Sequence, residues 1–410
     1  MTEITSVTFR DDTILRLGGD GAWAGMTWAA DDRQFGPVCD GSGLSLLPTD
    51  HFFSTRVFAV GGARPAEATC QELPGYPDIP MADIYNPSAP PLYYGFTVLA
   101  VDGCLYQYLS TSTMFPFFED FTVRPGFHLN AVKLIYSPDQ GRTWCNQDGS
   151  SPVARELRDE LTPERTVFLQ EPDDAFSLLS FLQMGRDYGD NRDGYVYVYG
   201  LNGVGEGRMN ELVMFRVPKD RLLDRGSFEY FHALRPDGAA DWVQDIGRRG
   251  VVQSFPRGWL PPNFAVSWLP SVVYNMQLGL YMMVSSSSTN PEGIGHEDKP
   301  SYLGIWVSQH PWGPWRQIHE EAAWTPAGDP GARAGAPVIA PKWIAEDGKS
   351  FWLVWHDAQL KTDAAHASEA ELIDAMRSTT AVDAFRGRLL WRQTHPYYGL
   401  NVQRVDLALG

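Results

Sequence analysis

The sequence predicts an all-β protein, a five-bladed β-propeller with a few short helices in its loops. One pattern dominates the 410 residues: an apolar strand, a tight turn of Asp, Asn or Gly, then a strand rich in aromatic or β-branched residues, five times over. Each occurrence is followed by a further strand-like run, so every copy has room for about four strands of about five or six residues. Helical periodicity is scarce by comparison. Repeated β units of this kind pack radially, which protects sheet edges that would otherwise stay unpaired.

In chain order, residues 6–10 or 13–17 precede the first copy and are expected to supply the outer strand of the last blade, closing the ring. The first hairpin is 25–32 answered by 35–40, and the second is 95–103 answered by 104–109. The third joins 176–182 to 194–199 through a loop at 185–193, and the fourth joins 270–275 to 280–284. The fifth runs 336–344, turns at Glu346, Asp347 and Gly348, and returns along 351–355. Following strands are expected at 54–60, 130–136, 211–217, 303–308 and 389–392. The blades then occupy about 19–75, 90–147, 170–235, 250–320 and 333–408 of one domain. Short linking helices are expected at 153–161 and 218–225, the second opened by Pro218. Ser368 and Glu371 form a capping-box pattern ahead of 372–376, which places a helix in a long insertion in blade five.

Composition narrows the function. A formal net charge of −17 repels phosphate backbones and anionic lipid, so neither nucleic acid nor a membrane is an expected partner. Aromatic residues make up 13% of the chain, enough to line a groove with rings; a neutral small molecule or neutral glycan is the partner that suits this balance. Cys39, Cys70, Cys104 and Cys145 lack zinc-type spacing and form no disulfide framework, so they read as buried thiols. No metal ligand set and no cofactor is expected, although the central channel leaves room for a structural ion. The start lacks a basic, apolar leader, which predicts a cytoplasmic protein as written, or a secreted one if a signal peptide has been removed. No G-x-S-x-G elbow, phosphate loop or H-E-x-x-H is present.

Ser137-Pro-Asp139-Gln-Gly141-Arg-Thr143-Trp144 resembles the Asp-box, a turn between the last two strands of blades in sialidases and other glycan-active propellers. Asp139 is expected to bond backbone amides within the turn, Gly141 to supply a positive φ, and Trp144 to pack between sheets. The role is structural.

In a propeller, the segments leading into the inner strands and the loops between second and third strands share one face. Asp20 and Asp40, both at that end of the first hairpin, are the leading pair for glycosidic cleavage. One carboxyl protonates the leaving oxygen while the other acts as base or nucleophile. Glu171 and Asp357 are reserve carboxylates. Trp23, Tyr94, Arg257, Trp259, Asn263, Arg333 and His356 are the expected substrate contacts, rings stacking on sugars and polar groups bonding hydroxyls. Plainer roles compete: Asp40-Gly41 has the form of a turn, and His356 equally suits a hydrogen-bonded core position.

The stretch 184–199 with 214–221 and 226–231 resembles a bacterial family of unassigned function whose relatives include endo-D-arabinofuranases. The likeness continues through Tyr274-Asn275, 311–315 and 341–355, and in blade one through Trp23, Thr27-Trp28 and Asp40-Gly41. It implies a propeller similar to arabinanases with a carboxylate-based hydrolytic centre, and an arabinofuranoside as one substrate. The sequence departs from that family at Ala24-Gly25-Met26 and 35–39, beside the expected site. Two other functions remain open: a polysaccharide lyase using Tyr94 or His356 with Arg257 or Arg333, and a glycan-binding propeller without catalysis.

Overall fold

The computed structural model describes residues 3–43, 53–79, 90–114, 128–162, 166–203, 208–256, 268–287, 299–361 and 391–410. The chain opens with β1 (Ile4–Gly18), which belongs to the last sheet. Blade one follows. Its innermost position is shared by β2 (Asp20–Trp23) and β3 (Thr27–Trp28), with β4 (Gln34–Gly43), β5 (Phe53–Gly61) and β6 (Thr69–Glu72) outside them. Blade two has a broken inner strand, β7 (Tyr93–Tyr94) and β8 (Leu99–Val101), then β9 (Cys104–Thr111), β10 (Ala131–Ser137) and β11 (Cys145–Asn146). Blade three runs outward from β12 (Leu179–Gln183) through β13 (Tyr195–Leu201), β14 (Glu211–Pro218) and β15 (Glu229–Leu234) to β16 (Ala240–Val243), and β17 (Gln253–Ser254) joins β14. Blade four comprises β18 (Ser271–Asn275), β19 (Leu280–Ser287), β20 (Tyr302–Ser308) and β21 (Arg316–Glu321). Blade five comprises β22 (Ala334–Ile344), β23 (Ser350–Asp357), β24 (Leu400–Leu409) and, outermost, β1. Five antiparallel sheets in this order form a five-bladed β-propeller.

Side chains near the hub bond the backbone of a neighbouring blade. Thr27 Oγ1 accepts from Ala100 N at 2.9 Å between blades one and two, and Thr97 Oγ1 from Phe181 N at 3.2 Å between two and three. Ser271 Oγ accepts from Ile339 N at 3.2 Å, and Gln34 Oε1 from Lys342 N at 3.1 Å, joining four to five and five to one. Blades three and four are joined directly, β12 pairing with β18 in parallel. Between the sheets lie buried rings, among them Trp268 stacked on Phe255 at 4.8 Å and Tyr108 on Phe181 at 4.9 Å.

The Asp-box turn forms between β10 and β11. Asp139 accepts from Thr143 N and Thr143 Oγ1, each at 2.8 Å, and from Ser137 Oγ at 2.9 Å. Gly141 has φ +90°, and buried Trp144 meets Tyr76 edge-on at 5.1 Å.

Three expectations need correction. Residues 391–394 form a helical turn rather than a strand, and the third strand of blade five is β24, where apolar Leu400, Val402, Val405 and Leu407 face the core. The linking segments at 153–161 and 218–225 hold only single 3-10 turns, Arg158–Glu160, Lys219–Arg221 and Arg225–Ser227. The inner strand of blade three begins at Leu179 because Phe176, at φ 57°, is left-handed. The helix expected at 372–376 lies outside the described residues.

Candidate active site

The centre of the site is a bulge in blade one. β2 and β4 pair Asp20 with Gly43 and Ala22 with Cys39, so Gly21 faces the three residues Asp40, Gly41 and Ser42. Asp40 takes up the turn with φ 53°, a conformation that Asp tolerates better than most side chains. Gly41 is dictated by crowding, since a Cβ there would fall 1.9 Å from the Asp20 carbonyl oxygen. The two leading carboxylates therefore sit on adjacent strands at the hub.

Their surroundings differ. Asp20 is 2% exposed, and its Oδ2 accepts from Ser42 Oγ at 2.6 Å, Ser42 N at 3.1 Å and Arg392 Nε at 3.3 Å. The Arg392 Nη2 group also bonds Ser42 Oγ. The other oxygen, Oδ1, is buried with no hydrogen-bond partner. Asp40 is half-buried and accepts from the Tyr94 hydroxyl. Burial above all holds the Tyr94 phenol well above its usual range, so this tyrosine is a neutral donor.

Tyr398 closes the group from blade five. It is buried, and its ring meets His356 edge-on at 5.5 Å and Trp391 at 5.4 Å. Trp391, half-buried, stacks on His395 at 3.7 Å. The seam with blade one is tight: Gly21 N donates to Tyr398 O at 2.9 Å, and a Cβ on Gly399 would meet the Gly18 carbonyl oxygen at 2.5 Å.

The other candidates are held as follows. Asp357 is fully buried, with Oδ2 taking Arg16 Nη1 at 3.0 Å and Oδ1 taking Arg333 N at 2.8 Å and Gln359 N at 3.2 Å. Glu171 is buried in an ion pair with Arg225, whose guanidinium lies over the Phe228 and Tyr230 rings. Arg333 donates through Nη1 to the carbonyls of Pro330 and Ala332, at 3.1 and 2.8 Å. Trp23 is buried in a core with Met26, Val38 and Phe58. His356 is buried against Gly335 and Tyr398. Arg257, Trp259 and Asn263 lie outside the described residues.

Sequence reasoning missed Ser42, Trp391, Arg392 and Tyr398. Ser42 follows Asp40-Gly41 closely enough to have been found by asking what caps a bulge. The other three come from the far end of the chain, where residues 389–392 read as a strand. Among the described residues, no group of three or more His, Cys, Asp or Glu is placed to hold a metal ion.

The sequence matches no family model and no curated protein. Among solved structures the fold is similar to an inulosucrase from Halalkalicoccus jeotgali bound to kestose, at 13% identity over 100% of this chain and 90% of that one, TM-score 0.46. It is also similar to an α-L-arabinofuranosidase from Podospora anserina in complex with cellotriose, at 8% identity over 99% and 96% of the two chains, TM-score 0.41. A third is the catalytic domain of a Coprinopsis cinerea α-L-arabinofuranosidase, at 7% identity over 96% and 98%, TM-score 0.40. The architecture described above rests on the strand pairing itself.

Proposed function

We propose that the protein is a glycoside hydrolase acting on a neutral glycan, an arabinofuranoside being the first substrate class to test. The observation that carries this reading is the unequal pair of carboxylates at the blade-one bulge. Oδ2 of Asp20 accepts three hydrogen bonds, one of them from an arginine, so the group already acts as an acceptor. Asp20 is the base or nucleophile. Half-buried Asp40 is the acid: its carboxyl proton passes to the glycosidic oxygen as the bond from that oxygen to the anomeric carbon breaks. In the inverting course, Oδ1 of Asp20 takes a proton from the water whose oxygen bonds the anomeric carbon. In the retaining course, Oδ1 bonds that carbon itself, and Asp40 later deprotonates the water that releases the sugar. A lyase that used Tyr94 as its base would have to ionise a phenol that burial holds well above its usual range.

The test is a glycan panel, including D- and L-arabinans, assayed for new reducing ends with the wild type, Asp20→Asn and Asp40→Asn. Each substitution is expected to lower kcat by about 100- to 10,000-fold while oligosaccharide affinity persists. Full turnover by both variants would remove the reading. An unsaturated uronate product would make the protein a lyase, and binding without turnover by the wild type would make it a glycan-binding propeller.

A further inference from the structure

We infer that Arg392, together with Ser42, is a positioning residue that fixes the Asp20 carboxylate in one orientation and leaves Oδ1 as its working oxygen. The inference rests on the hydrolase reading for what Oδ1 does, but the clamp itself is a matter of geometry. Arg392 reaches blade one from the helical turn at 391–394, next to Trp391, which stacks on His395. It spends Nε on Asp20 Oδ2 and Nη2 on Ser42 Oγ, while the same Ser42 donates to Oδ2 through both its amide and its hydroxyl. Three of these donors, Arg392 Nε, Ser42 N and Ser42 Oγ, gather around one oxygen.

A purely structural ion pair would look different, and this molecule contains one for comparison. Asp357 is equally buried and equally paired with an arginine, yet both its oxygens have donors, Oδ2 from Arg16 and Oδ1 from two backbone amides. Folded proteins rarely leave a buried carboxylate oxygen without a donor, because desolvation is then uncompensated. At Asp20 one oxygen is saturated and its twin is orphaned. That asymmetry is expected where a carboxylate must be held still and yet keep an oxygen for water or an anomeric carbon. The bridging of Oδ2 and Ser42 Oγ by two nitrogens also uses the planar fork of arginine, which a lysine ammonium lacks.

The test uses the full chain. Arg392→Ala is expected to lower kcat about 100-fold with KM within about two-fold, the cost of a misplaced reacting group. Added methylguanidine, at concentrations that leave the wild type unchanged, should restore about 10-fold of that loss. Arg392→Lys should recover only part of the activity, and Ser42→Ala should lose kcat in the same sense. A rise in KM at constant kcat would overturn the inference and make Arg392 a substrate contact. A kcat loss without methylguanidine rescue, in a folded variant whose Asp20 carboxylate is unmoved in a crystal structure, would also overturn it. The crystal structure of Arg392→Ala separates this inference from the reading beneath it. If the wild type cleaves no glycan, the hydrolase reading fails; the clamp then stands if the Asp20 carboxylate has swung off Ser42 and falls if it has not.

Discussion

Asp20 and Asp357 are both buried acids paired with arginines near the seam between blades five and one, and their hydrogen bonding separates them. Both oxygens of Asp357 are engaged by the protein's own donors, so loss of its arginine partner should be a matter of stability. Arg16→Ala would leave a fully buried carboxylate facing only backbone donors, at a cost of about 3 kcal/mol, the low end for a broken buried pair because Arg16 is partly exposed. Urea unfolding should show that loss, while turnover per folded molecule stays at the wild-type level. Loss of turnover with unchanged stability would move Asp357 into the chemistry. At this scale the sequence was readable where the signal is local. Asp20 beside a Gly pair and Asp40 before Gly41 mark a turn at a strand end. Arg392 was not readable, because its partner lies 372 residues away in sequence. The surroundings of Trp23 were not readable for a related reason: an indole near a hub strand can face the channel or the next sheet, and here it packs in the core.

Among the elements, the Asp-box turn between β10 and β11 was the most legible, since each residue in it has a local mechanism. Burial alone would raise the Asp139 pKa, but hydrogen bonds from Thr143 and Ser137 outweigh it and hold the carboxyl below its usual value. A carboxyl depressed on folding adds stability above its unfolded pKa and loses it as pH falls through the lower folded value. Asp139→Ala should therefore destabilise by about 1–2 kcal/mol at neutral pH, solvent screening keeping it modest, and the difference from wild type should shrink in acid below about pH 4. Thermal melts across pH check this; an undiminished difference in acid would contradict it. The inner strands were less legible. Blades one and two each carry a second short inner strand, β2 ahead of β3 and β7 ahead of β8, upstream of the runs 25–32 and 95–103 that were expected. The third strand of blade five was misplaced because the run at 389–392 is apolar and the true strand follows Gly399.

For the whole molecule, ring closure and the proposed site share one seam. β1 pairs with β24 as the outer strand of blade five and then leads straight into β2, so the first strand both closes the ring and delivers Asp20 to its hub. Removing residues 3–18 would bare the long edge of β24 and take Arg16 from Asp357, and an exposed edge invites pairing with another chain. Size-exclusion chromatography should show association of the truncated chain; a stable monomer would argue that the ring closes without β1. The five-fold repetition was visible in the sequence because hairpin periodicity is local, whereas the contacts that close the circle are between residues far apart in the chain. The most direct measurement is the crystal structure of Asp40→Asn with an oligosaccharide that the wild type cleaves. The account predicts the glycosidic oxygen beside residue 40 and the anomeric carbon, or a water bridging to it, facing Oδ1 of Asp20. A sugar bound elsewhere on the propeller, with the blade-one bulge empty of it, would contradict the account.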